Sequence, residues 1–285
     1  MKPEILSGKR CIIGEGPIWC EKERVLYQVN GYGPNEILRI NLETKERSER
    51  PLDAPFAAIA LTKDGELIIS SFDGAFILND DNTRTYLYDK NKYNIKYAND
   101  AKVGPDGNLY LGTQSTLKAE GEGAIDGKLY SISKQGEVKV LLDGLLLSNG
   151  FDWSMDEKRL YHTDSATEII KEYEFNKESG DLTYTGREIK VAGVDGITID
   201  ERDFLYVGCW GKGHIAVVDT AKMEIIDYIP VPTSIPASCC FAGDDMRKLV
   251  VVTALFDMDP EKNEGAGYTY IYNTDTCGRA PYLFG

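Results

Sequence analysis

The chain has 285 residues, 42% hydrophobic and 27% charged, a balance that suits a folded protein with a sizeable core and excludes a disordered one. Its formal net charge of -14, with no Lys/Arg cluster, argues against a nucleic-acid partner, because such a surface repels phosphate backbones. Apolar runs such as Leu145–Leu147 and Leu249–Thr253 are far too short to cross a bilayer, and Met1-Lys2-Pro3-Glu4 opens no long apolar leader, so a cytoplasmic protein without a membrane role is expected.

No Pro/Ser-rich linker or shift of composition divides the chain, so residues 1–285 are expected to form one domain. Six segments share one form: a small residue, alternating apolar positions, a turn rich in Asp, Gly or Lys, then an apolar pair. In chain order they are Gly16-Pro-Ile-Trp with Val25-Leu-Tyr27, Ala58-Ile-Ala-Leu with Leu67-Ile-Ile69, and Asp100-Ala-Lys-Val with Leu109-Tyr-Leu111. Gly150-Phe-Asp-Trp with Leu160-Tyr161, Gly196-Ile-Thr-Ile with Leu205-Tyr-Val207, and Cys240-Phe-Ala-Gly with Leu249-Val-Val251 follow.

Aligned on Leu26, Leu67, Leu109, Leu160, Leu205 and Leu249, the segments recur about every 41 to 51 residues, the length of one four-stranded propeller blade. Each reads as a hairpin, with Asp64-Gly65 and Asp106-Gly107 supplying the positive φ that tight turns need. The strand-like runs Ile37–Asn41, Ala75–Leu78, Lys128–Ser133, Ile169–Phe175 and His214–Asp219 complete the blades. The expected fold is all-β: a six-bladed β-propeller of four-stranded antiparallel blades around a central channel. A parallel α/β fold fails for want of amphipathic helices. Ring closure requires the termini to share a blade, since an open ring leaves a bare sheet edge; Gly267–Tyr272 is expected to pair near Cys11–Ile13.

The innermost strands of a propeller run along one axis, so the residue before each repeat faces that axis. Across the six it is Glu15, Ala57, Asn99, Asn149, Asp195 and Ser238 (or Cys239, if that repeat slips by one). Asn and Asp are depleted in strands, so Glu, Asn, Asn and Asp at one register position is an unusual concentration. Two carboxylates near one axis are expensive to bury unless something compensates. A divalent cation does so, and the all-oxygen donors favour Ca²⁺, with Mg²⁺ or Mn²⁺ next and zinc possible but less suited. The competing reading of each residue alone is a turn that bonds local backbone.

Gly14-Glu-Gly-Pro17, Asn99-Asp100, Ser148-Asn-Gly150, Asp195-Gly196 and Ser238-Cys-Cys-Phe241, in that order and with the tail Gly265-Ala-Gly267…Gly278-Arg279…Phe284, resemble the regucalcin (senescence marker protein)/gluconolactonase/luciferin-regenerating enzyme family. The resemblance covers nearly the whole chain. It implies a six-bladed propeller with a central divalent metal and, in many members, hydrolysis of sugar lactones. Carried over by position, it implies Glu15, Asn149 and Asp195 as metal ligands and Asn99 facing the substrate or a metal-bound water. Two departures bear on specificity. Tyr97 stands where gluconolactonase-type members carry an Arg that binds sugar hydroxyls, and Gln114-Ser-Thr-Leu117 follows Gly112-Thr113 where they carry acidic residues. The expected activity is therefore metal-dependent hydrolysis of a sugar or other small lactone or ester, with Asp195 as general base and Asn99 and Tyr97 contacting substrate. Alternatives are a calcium-dependent phosphotriesterase-like hydrolase, luciferin-regenerating chemistry, or a non-catalytic calcium-binding propeller. A monomer or weak homodimer is expected.

The remaining chemistry-bearing residues read as structure. Cys11, Cys20, Cys209, Cys239, Cys240 and Cys277 lack zinc-site spacing and are expected to be reduced packing residues. His162 and His214 are too isolated for a metal centre. Glu120-Gly-Glu-Gly123 reads as a solvated hairpin tip, with a lid over the channel as its second reading.

Overall fold

Six four-stranded antiparallel sheets make up the computed structural model, which describes residues 2–285. Blade 1 runs outward from Ile13–Cys20 through Val25–Gly31 and Glu36–Asn41 to Arg47–Pro51. Blades 2 to 5 repeat that order from innermost strands Phe56–Leu61, Ala98–Val103, Ser148–Trp153 and Val194–Ile199. The innermost strands touch neighbour to neighbour in a closed ring. The six leucines of the repeat all fall in second strands, and all but Leu67 are fully buried. The core is correspondingly divided: each interface between adjacent blades holds its own apolar cluster.

The inner hairpins turn through a residue with positive φ. Gly65 and Gly107 supply it in blades 2 and 3, as their sequence signals require. Arg24, Glu157, Asp203 and Met246 adopt it in blades 1, 4, 5 and 6, where the side chain costs about 1–2 kcal/mol of strain.

Blade 6 closes the ring with strands from both ends of the chain. Pro236–Ala242, Lys248–Thr253 and Thr269–Asn273 are completed by Glu4–Ser7, with Glu4 opposite Ile271 and Ile5 opposite Tyr270. The closing strand is therefore not Cys11–Ile13. That segment crosses from blade 6 to blade 1 instead: Cys11 N–H donates to Gly267 C=O at 2.7 Å and Ile13 bridges Ala254. The C-terminal segment passes beneath the inner hairpins, where Gly278 bridges Asp200 and Phe284 bridges Thr62. It covers the end of the channel opposite the starts of the innermost strands. One short helix, Thr116–Glu120, is capped by Ser115 and stopped by Gly121 in the left-handed region (φ 79).

Candidate functional site

The innermost strand of every blade loses its ladder register at the axial position. The breaks lie between Glu15 and Ile18, Phe56 and Ala58, Ala98 and Ala101, Asn149 and Phe151, Val194 and Ile197, and Pro236 and Ser238. Such bulges re-aim a side chain and end regular pairing. Packing explains the glycines that follow Asn149 and Asp195. A Cβ at Gly150 would lie 2.1 Å from the Asp195 carbonyl oxygen, and one at Gly196 would lie 2.0 Å from Ser238 Oγ. One innermost strand thus presses on the next where only glycine fits, and the preceding polar side chain is turned to the axis.

Glu15, Asn99, Asn149 and Asp195 all line one cavity of about 730 Å³ at the end of the channel where the innermost strands begin. Asn149 and Asp195 are buried, and Glu15 and Asn99 half-buried. Asn149 Nδ2 donates to Asp195 Oδ1, and Asn99 Nδ2 donates to the Ser148 carbonyl at 3.1 Å. Glu15 Oε2 accepts from the Gly16 N–H at 3.1 Å. In blade 6 the break falls around Ala237, and Ser238 and Cys239 face a separate cavity deeper in the channel, not this one.

Burial pushes the proton affinity of Glu15 well above the usual carboxylate range, and the nearby Asp195 and Asp100 charges push it further. Asp195 is raised by burial and by Asp100, with only the Asn149 hydrogen bond opposing. No cation is among the groups bearing on either. Among the described residues no three His, Cys, Asp or Glu side chains cluster as a metal site; what converges here is two carboxylates and carboxamides. That set fits a hard dication. A half-turn of the Asn149 amide would bring its oxygen to the same point for a cation, in exchange for the bond that Oδ1 accepts from the Gly150 N–H at 3.1 Å.

Other residues of this region carry no register signal. Asp100 follows Asn99 across the bulge and lines the deeper cavity of about 70 Å³, together with Lys102, Asp152, Cys239, Cys240 and Arg279. There Lys102 Nζ pairs with Asp152 at 2.7 Å and Arg279 reaches the same carboxylate from the C-terminal segment. Cys239 and Cys240 keep protonated thiols, pushed up by burial, and all six cysteines are free. His162 is buried against Ser148, and His214 packs on Tyr228.

The upper walls come from loops. Tyr32 and Phe72 meet edge to face at 5.9 Å, and Trp210 and Phe256 lie 6.2 Å apart. Tyr97 is not in the cavity wall. Its left-handed backbone (φ 53) sends the ring over Phe72, and its hydroxyl donates to Glu120. Gln114 does line the cavity, whereas Ser115 and Thr116 cap and begin the short helix that places Lys118 and Ala119 there. Glu120-Gly-Glu-Gly123 is thus the end of a capped helix held by Tyr97 and the start of its exit turn.

Residues 13–255 match the family described as SMP-30/Gluconolactonase/LRE-like region. The Bacillus subtilis protein YvrE, named as a candidate sugar lactone lactonase, is 31% identical over 96% of each chain. Rabbit (Oryctolagus cuniculus) regucalcin is 29% identical over 100% of this chain and 98% of its own. A solved structure of Agrobacterium tumefaciens regucalcin, described as a calcium-binding protein, superposes with a TM-score of 0.88 at 22% identity, covering 100% of this chain and 97% of its own. At that identity the superposition speaks to the fold alone.

Proposed function

The chain belongs to the SMP-30/gluconolactonase/LRE-like family, and on that premise we propose that it is a metal-dependent hydrolase that opens small lactones. One observation carries this reading: Glu15 and Asp195, both with raised proton affinity, share the floor of a cavity with Asn99 and Asn149. Two acids facing each other without a counter-charge are expensive as scaffolding, and useful where a cation binds and a proton moves.

Glu15, Asn149 and Asp195 would hold the dication, with Ca²⁺ the first choice. Bound there, it supplies Lewis-acid polarisation of the lactone carbonyl and offsets negative charge. Asp195 would hold the attacking water and take its proton. Asn99 turns an amide N–H to the carbonyl oxygen as charge builds on it. The proton then passes to the ring oxygen as the ester bond breaks, leaving a hydroxy acid.

The test is proton release over a panel of lactones and phosphotriesters, with and without chelator. Lactone opening that chelator abolishes supports the reading, and Asp195→Asn should lower kcat by at least about 100-fold. Glu15→Gln should weaken metal binding. If both variants keep full metal content and lactonase activity, the site assignment is wrong. Turnover of phosphotriesters alone would move the chain to the alternative chemistry, and a tightly held metal with no turnover would make it a binding protein.

A further inference from the structure

We infer that the preferred substrates are lactones whose ring carries an apolar alkyl or aryl substituent, not polyhydroxylated sugar lactones. This rests on the lactonase reading and names the substrate class for the same site.

The reasoning starts from what the wall offers. Tyr32 and Phe72 come from blades 1 and 2, Leu146 and Leu147 from the connection between blades 3 and 4, and Trp210 and Phe256 from blades 5 and 6. Apolar groups therefore face the mouth from three sides, and Tyr32 and Phe256 are 48% and 39% exposed there. Exposed aromatics gathered around a concave site, rather than scattered, mark a ligand surface. The neutral polar groups that could orient a ligand are those of the floor together with Gln114 and Ser165 in the wall. Of the charged groups higher up, Lys118 and Lys212 are exposed at the outer edge, and Glu168 is committed to the Gly193 N–H and Lys190.

A sugar lactone would bring several hydroxyls against this wall, strip their water and find partners there for only a few, which is unfavourable for each one left unpaired. An alkyl or aryl group loses nothing by leaving water there. Tyr97 belongs to the same pattern: its hydroxyl is occupied by Glu120 and it backs the apolar Phe72 instead of presenting a charge to the cavity.

The test is kcat/KM with Ca²⁺ for δ-valerolactone, its propyl, pentyl and heptyl homologues, and glucono-δ-lactone. The expected result is a rise of about two- to fourfold per methylene until the wall is covered, with glucono-δ-lactone below the unsubstituted ring. Trp210→Ala and Phe256→Ala should each make that slope shallower. A flat series, or glucono-δ-lactone as the best substrate, overturns the inference while leaving the hydrolase standing. If no lactone is opened, the lactonase reading falls and binding still decides. Trp210 lies in the wall while Trp19 and Trp153 are buried, so tryptophan fluorescence reports occupancy. Affinity rising with chain length retains the inference; affinity indifferent to it overturns it.

Discussion

His162 is a titratable side chain used as packing, and its burial has a pH consequence. It is buried, its Nε2 lies 2.8 Å from Ser148 Oγ, and burial lowers its pKa from 6.5 to about 4. A base with a depressed folded pKa takes its proton first in the unfolded chain. The stabilisation is complete above the unfolded value and is lost as pH falls from about 6.5 toward 4. The shift corresponds to about 3 kcal/mol. His162→Gln can retain a bond to Ser148 and cannot titrate, so its urea midpoint should fall less than wild type between pH 7 and pH 4. Parallel losses would assign the acid sensitivity to the carboxylates. At this scale the sequence made Glu15, Asn99, Asn149 and Asp195 readable, because one register position repeated an unusual residue type. Asp100 was not readable as an axial charge, because the bulge turns two consecutive residues inward and a period counts one. Trp210 and Phe256 sit in loops, which have no period to read.

Among elements, the closing strand is the weakest signal and a strong structural determinant. Glu4–Ser7 has four residues, of which Leu6 is buried in the cluster between blades 6 and 1 with Trp19, Leu26 and Leu38, whereas Ile5 is 46% exposed. Leu6→Ala should destabilise the protein by about 2–5 kcal/mol in urea unfolding. Ile5→Ala should stay within about 0.5 kcal/mol. Equal effects would mean that the strand merely lies on the blade. The inner hairpins were legible because apolar alternation and Asp-Gly turns agree there. The closing strand was not, since four residues carry almost no alternation and Cys11–Ile13 is the more strand-like sequence. Its pairing partners, Gly267 and Ala254, are real but belong to the crossing between blades.

For the whole molecule, the decisive fact is that Glu15, Asp100 and Asp195 come from blades 1, 3 and 5 and repel one another across the axis. Lys102 bears directly on Asp100, so the burden falls on the other two. A dication bound as proposed would convert that repulsion into a clamp. Ligand binding to the folded state alone, at 100 times Kd, adds about 2.7 kcal/mol. For a chain of 285 residues that is a Tm increase of about 4–5 °C. A net charge of -14 also draws cations diffusely, and that part survives removal of one axial carboxylate. Asp195→Asn therefore separates the two. In chelator the variant should melt at or above wild type, because Glu15 loses its opposing charge. With Ca²⁺ it should melt below wild type, having lost the clamp. An Asp195 that served only to hold the blade would lower Tm under both conditions, and a variant that kept the full Ca²⁺ shift would place the cation elsewhere.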